Sequence, residues 1–242
     1  PLTLLTVAAT ATSRVRLGSS TLNALWQPPV LLARSLTTLD HVSGGRLDVG
    51  LGLGWSKDEY QAVGVPWAGR GARLEETLDI LEQVWAEDEL IEHSGPHWTV
   101  PKAIVRPKPL QRPRPPILLG GFSQATLERV GRRADGWLGA SLPVPVLTQM
   151  WQAVRQRATA AGRDPEALRL VVRVNPVLTA EPVPEAQVPR HGTLEQLVGY
   201  LTGVVEALDA ELLLDLHFAA GDPEEYLALA AGLHDALRER AA

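Results

Sequence analysis

Short apolar runs alternate with stretches of helical periodicity along most of the chain. That pattern predicts parallel β/α units rather than a helical bundle or a β-sandwich. Leu2 to Ala11 reads as a helix and Val15 to Leu22 as a strand. Pro29 to Leu39 predicts a second helix, opened by proline where its missing N–H does no harm and closed by Ser43-Gly44-Gly45, whose glycines supply a positive φ. Arg46 to Gly54 is a strand that turns glycine-rich at its C-terminal end. Leu74, Leu78, Leu81 and Trp85 then line one face of a helix from Gly71 to Trp85.

The alternation breaks between Asp88 and Pro116. Leu90 to Val100 predicts a small hairpin about Ser94-Gly95-Pro96, and the prolines from Arg106 to Pro116 require extended chain. Beyond it come a strand at Ile117 to Gly121, a helix from a Ser123 cap to Arg133, a strand at Asp135 to Ala140 and a helix at Val146 to Ala161. Leu168 to Leu178 is a long β-branched strand, Glu181 to Pro189 a proline-rich loop, and Thr193 with Gln196 a capping box that opens a helix to Leu208. Glu211 to Phe218 is the last strand, and Asp222-Pro223 starts the terminal helix. The total is about six strand–helix units, against the eight of a closed barrel. Neither an internal repeat nor a domain linker interrupts them.

Bulk properties narrow the function classes. The 242 residues, 45% of them hydrophobic, suffice for a sizeable core in one domain. A net charge of -5 argues against nucleic acid as partner. No apolar run approaches the roughly 18 residues of a membrane span, and the first residues have neither a basic segment nor a cleavage site of a secretory signal. With 0 cysteines there are no disulfides, thiol nucleophiles or iron–sulfur ligands, which suits a reducing cytoplasm.

Candidate chemistry gathers where parallel strands end, the side on which such folds bind ligands. Gly50, Gly52 and Gly54 follow one strand, and Gly120 and Gly121 another. A glycine pair leading into a helix capped by Ser123 suits a phosphate, by bare amides and by helix dipole. The plainer reading, tight turns that need positive φ, carries equal weight. The G-x-G-x-x-G dinucleotide spacing is absent, as are H-E-x-x-H and the second glycine of a nucleophile elbow after Ser123. His217 shares a strand face with Asp215 and is a candidate proton donor, though a structural histidine is the commoner case. The other histidines fall in loops or on helix surfaces. Trp26, Trp55 and Trp137 stand near strand ends, where a cofactor stack and a core or rim role compete.

Several motifs in order carry a resemblance. Leu39-Asp40-His41-Val42-Ser43-Gly44-Gly45-Arg46-Leu47 precedes Gly50-Leu51-Gly52-Leu53-Gly54-Trp55 with Glu59. Pro107-Lys108-Pro109 with Pro115-Pro116-Ile117, then Gly120-Gly121 and Ala134-Asp135-Gly136-Trp137, follow. From Leu2 to about Arg240 the chain resembles the luciferase-like monooxygenase superfamily, in particular its branch of coenzyme F420-dependent oxidoreductases. That resemblance implies a TIM (β/α)8-type barrel and one domain over residues 1–242 that lacks the first two β/α units. Three explanations compete for the missing units: the chain is a piece of a longer protein, which is the favoured one, a second copy covers the gap, or the fold closes differently.

It further implies hydride transfer between coenzyme F420 and a small organic substrate. The alternative in the same fold is an FMN-dependent monooxygenase; from another class comes a shortened, non-catalytic relative serving as a binding or assembly subunit. A non-proline cis peptide would fall at Ser20-Thr21, beside the cofactor ring. Gly52, Leu53 and Gly54 would pass the ring with Asp58 or Glu59 nearby, and Gly120, Gly121 and Ser123 would hold the phosphate. Arg106 and Lys108 are candidates for an anionic tail. A homodimer is implied, and no catalytic residue is assigned.

Overall fold

The computed structural model describes residues 1–86 and 90–241. They divide into two compact units, Pro1–Gly121 and Phe122–Ala242. In the first, α1 (Leu2–Ala11) leads to two short strands, β1 (Leu17–Gly18) and β2 (Leu22–Asn23), then α2 (Pro29–Ser43) and β3 (Leu47–Gly52). Both short strands lie parallel to β3, with Leu17 opposite Leu47 and Leu22 opposite Leu51. The single strand expected over Val15 to Leu22 is therefore two, because Ser19 to Thr21 leave the ladder between them. Gly44 stops α2 at φ 68°, as its sequence foretold.

Next come α3 (Lys57–Ala62), α4 (Arg70–Trp85), the antiparallel hairpin β4 (Leu90–Ser94) and β5 (Thr99–Ile104), and β6 (Ile117–Gly120). α3 was not foreseen, while α4 buries Leu74, Leu78, Leu81 and Trp85, the face its spacing predicted. β6 runs parallel to β3, Leu51 opposite Leu119, which sets the C-terminal ends of the two strands side by side.

Two buried polar ties hold this unit's long connections. Asp40 is fully buried on α2 and accepts the amides of Leu110 (2.7 Å) and Gln111 (3.1 Å) and Gln111 Nε2 (2.8 Å). It thereby anchors the proline-rich segment, whose backbone makes few bonds of its own. Glu76 on α4 accepts His93 Nε2 at 3.0 Å and the amides of His97 (3.0 Å) and Trp98 (2.8 Å), clasping the hairpin. His93 is thus a half-buried strand residue rather than a loop one.

The second unit contains α5 (Gln124–Arg133), β7 (Gly136–Ala140), α6 (Val144–Ala160), β8 (Arg169–Val174), β9 (Val177–Leu178), β10 (His191–Gly192), α7 (Leu194–Leu208), β11 (Glu211–Leu214) and α8 (Pro223–Ala241). β7 and β11 flank β8 in parallel, with Leu138 opposite Val171 and Leu213 opposite Arg173. β9 and β10 form a separate parallel pair, so the strand expected over Leu168 to Leu178 also splits, at Asn175-Pro176 where proline cannot donate to a ladder. His191 accordingly lies in a strand. The Thr193–Gln196 capping box is present, and Trp137 is wholly buried in β7, which removes it from the candidates for a cofactor stack. Among the described residues no helix is long and apolar enough to cross a membrane.

Candidate functional site

At the C-terminal end of β3 the first unit packs backbone against backbone. Ser19 Oγ donates to the carbonyl of Gly50 at 2.8 Å and accepts its amide at 3.1 Å, stitching the break between β1 and β2 to β3. The Ser20–Thr21 peptide that follows is cis, at the position the resemblance assigned. Thr21 then lies over Gly52: a Cβ placed on Gly52 would stand 2.6 Å from Thr21 Oγ1. Two residues on, Asn23 Nδ2 and Tyr60 Oη both donate to the carbonyl of Leu53, at 3.0 and 2.5 Å. Gly54 turns away at φ 65°, a left-handed conformation that side chains disfavour.

Ser20, Thr21, Gly52, Leu53 and Gly54 therefore form one cluster. Ser19, Asn23 and Tyr60 belong to it as well and were missed; only pairing across some thirty residues of sequence brings Asn23 to Leu53. Asp58 is exposed in the first turn of α3, and Trp55 is 88% exposed on the loop before it.

Gly120 ends β6, the neighbour of β3, and Gly121 takes φ 135°, a region open to glycine. Ser123 caps α5 as expected, accepting the amide of Thr126 at 3.2 Å. The turn is less bare than the glycine pair suggested: the Ser123 hydroxyl is already in use, and Gly121 has an interaction of its own within the protein. Lys108 donates to the carbonyl of Val84 at 2.9 Å, which ties it into structure rather than leaving it for an anionic tail.

In the second unit, charged groups collect past the ends of β8 and β11. Arg173 Nε donates to Asp215 Oδ2 at 2.9 Å, and Asp215 Oδ1 lies 2.6 Å from His217 Nδ1. Burial pushes the Asp215 carboxyl up, but hydrogen bonds from His217 and Arg173 outweigh it and bring its pKa down to about 2. The sequence puts the two residues on one face of a strand, but that is not how they meet. β11 stops at Leu214, so the two side chains meet across a turn, in which the His217 amide also reaches Asp215 Oδ1 at 3.3 Å, and not by strand alternation. Elsewhere in this unit a cleft of 590 Å³ is lined by Pro143, Val144, Val188, Tyr200 and Gly203.

A family model described as luciferase-like monooxygenase matches residues 1–235. The chain belongs to the luciferase-like monooxygenase family. It is 33% identical over 155 residues to an FMNH2-dependent dimethylsulfone monooxygenase of Pseudomonas putida, covering 63% of this chain and 42% of that enzyme. It spans less than two thirds of the curated relatives it matches, 62% in the case of an uncharacterized Mycobacterium tuberculosis protein. Monooxygenase RslO1 from Streptomyces bottropensis superposes with a TM-score of 0.84 at 23% identity, covering 100% of this chain and 83% of that one. The coenzyme F420 dependent tetrahydromethanopterin reductase of Methanopyrus kandleri does so at 0.76 and 18%, covering 95% and 85%.

These likenesses establish the α/β fold of the luciferase-like TIM-barrel enzymes. Within the first unit, Thr21 packs so closely on Gly52 that a Cβ has no room at the end of β3.

Proposed function

We propose that the chain is the cofactor-binding portion, one barrel domain over residues 1–242, of a monooxygenase that uses reduced FMN on a small organic substrate. The observation that carries this reading is the side-chain-free end of β3. Gly52 has no room for a Cβ beneath Thr21, and Gly54 turns sharply beyond it. A planar ring can lie against such a surface at backbone distance. Ser20, Thr21, Gly52, Leu53 and Gly54 would hold the ring face, with Asp58 at the rim. Gly120, at the end of the adjacent strand, and Gly121 after it would hold the phosphate.

When bound, the flavin supplies two-electron reduction of oxygen; this chain's residues orient it and exclude water. Relatives above 30% identity whose names carry an activity point to FMN or flavin, among them the oxygenase component of a flavin-dependent trigonelline monooxygenase from Acinetobacter baylyi. Those names support the FMN reading. Hydride transfer with coenzyme F420 is the second reading, favoured by the superposition on the F420 dependent reductase. A homodimer and a cytoplasmic location belong to both.

Titrating the protein with FMN, reduced FMN and F420, followed by fluorescence, tests the order. Tight FMN binding that the Gly52→Val variant loses is the expected result. Binding of F420 alone reverses the two readings, and binding of neither leaves the non-catalytic alternative.

A further inference from the structure

The second unit holds two adjoining clefts that the cofactor reading leaves unused. One of 590 Å³ lies between the start of α6 and α7, and one of 400 Å³ shares Pro143, Ala186 and Val188 with it, so the two form one groove. Ser141, the residue after β7, lines the smaller cleft. Its hydroxyl accepts the Asn175 amide at 3.3 Å and donates to the Arg173 carbonyl at 3.4 Å. The smaller cleft therefore lies at the C-terminal ends of β7 and β8, the side on which parallel β/α folds bind ligands. Its outer wall is tied down by backbone: the Arg190 carbonyl accepts the Val177 amide at 2.8 Å, and the Arg190 amide donates to Gln187 at 2.9 Å.

The two clefts differ in chemistry. The larger is an apolar trough along Val144, Val188 and the bare helix face at Gly199 and Gly203, where a Cβ on Gly203 would come no nearer than 4.0 Å to another atom. Two of its polar side chains bond to the protein itself: Gln196 Nε2 donates to the Val183 carbonyl at 2.7 Å, and Tyr200 Oη to that of Leu142 at 2.8 Å. Glu185 alone lines it without a partner among the described residues. The smaller cleft is lined by Arg190, His191 and Gln187 and by no carboxylate, and none of those three side chains has a partner among the described residues. A guanidinium offers five N–H donors and a positive charge, and an imidazole has an N–H in either protonation state. An apolar trough with a cationic end matches a ligand with an apolar body and an oxyanion head, and a carboxylate fits the guanidinium fork with both oxygens.

We infer that this groove binds small organic carboxylates, with the carboxylate at Arg190 and the apolar body along Val144, Gly199 and Gly203. The first turn of α6 beside it has neither an acidic residue nor a side-chain cap, so the helix dipole adds to the attraction. Glu185 opposes it from the larger cleft. Arg190 is exposed, so water screens the ion pair and keeps the affinity modest. That such a carboxylate is the substrate rests on the monooxygenase reading; that it binds does not.

The test uses 4-phenylbutanoate and its uncharged amide with flavin-free protein at low ionic strength, followed by NMR line broadening of the probe. Wild type is expected to bind the carboxylate in the millimolar range and more tightly than the amide. Arg190→Gln should weaken carboxylate binding about tenfold and leave the amide unchanged, with Arg190→Lys in between. Glu185→Gln should tighten carboxylate binding, because it removes the one carboxylate that lines the groove. Gly199→Leu, which fills the trough, should weaken both probes. Arg190 and Glu185 are exposed and without side-chain partners among the described residues, so neither substitution removes a structural contact, and thermal melting checks that every variant is folded. Equal carboxylate affinity in wild type and Arg190→Gln overturns the inference, as does a wild type that binds neither probe or both alike. Since no flavin is present, that failure is separate from failure to bind FMN, which would overturn only the proposed function.

Discussion

Thr21 and Gly52 fit together only because Gly52 lacks a side chain: a Cβ there would lie 2.6 Å from Thr21 Oγ1 and 3.2 Å from Thr21 Cβ. Threonine is stiff at χ1, so neither atom can swing aside without moving backbone. Gly52→Ala should therefore displace the Ser20–Thr21 segment from β3. The expected outcome is a loss of FMN affinity of about tenfold, near 1.4 kcal/mol, with overpacking costing about 1–3 kcal/mol in stability. Fluorescence titration and urea unfolding of the same variant read the two effects separately. Unchanged affinity would remove Gly52 from the ring surface.

Glu76 makes a second prediction, on stability alone. It is buried on α4 and accepts three donors from the β4–β5 hairpin. Burial raises its pKa, but the His93, Trp98 and His97 donors prevail and leave it lowered. Glu76→Ala strands those donors and should cost about 3 kcal/mol, with faster amide exchange confined to the hairpin. Gly95→Ala should act through the same clasp, since its Cβ would fall 2.1 Å from Glu76 Oε1. Retained protection of the hairpin amides in either variant would contradict this account.

What the sequence made legible follows from the range of the physics involved. Local signals were reliable: the Leu74–Trp85 stripe, the αL stop at Gly44 and the Thr193–Gln196 box each depend on residues within a few turns of one another. α3 escaped because six residues show no helical period, although Ser56 with Glu59 has the spacing of a cap. Strand lengths were overestimated wherever the chain leaves the ladder, at Ser19–Thr21, at Asn175-Pro176 and after Leu214, since β propensity says nothing about where a partner strand ends. The site was legible as glycines and a family pattern. Its polar partners Ser19, Asn23 and Tyr60 were not, because they meet β3 and the residue after it only through tertiary pairing.

Asp215 links the second unit to pH. Its folded pKa of about 2 lies below the ordinary value of 3.8. A depressed carboxylate contributes stability that is present above its unfolded pKa and lost as pH falls through the folded one. Asp215→Asn should thus be less stable than wild type at neutral pH. The gap between their urea midpoints should close between about pH 4 and pH 2. A gap of constant size across that window would mean that the Arg173 and His217 contacts do not depend on charge.

Tyr200 should act at the opposite end of the pH scale. On α7, its hydroxyl donates to the carbonyl of Leu142 at 2.8 Å beside the 590 Å³ cleft. Burial pushes its pKa up to about 12, only partly opposed by the bond to Leu142. Because the folded value is raised above 10.0, the contribution is fully present below that pH and lost as pH climbs through about 12. Tyr200→Phe removes one neutral hydrogen bond and should cost about 1 kcal/mol at pH 7. It should also flatten the alkaline limb of the stability curve, since the variant has no proton to lose there. Thermal melts at pH 7 and near pH 11 measure both effects, and spectrophotometric titration of the folded wild type should show a late phenolate component that the variant lacks. If that component persists in Tyr200→Phe, the buried phenol is not its source, and the Leu142 contact does not hold α7 against the cleft.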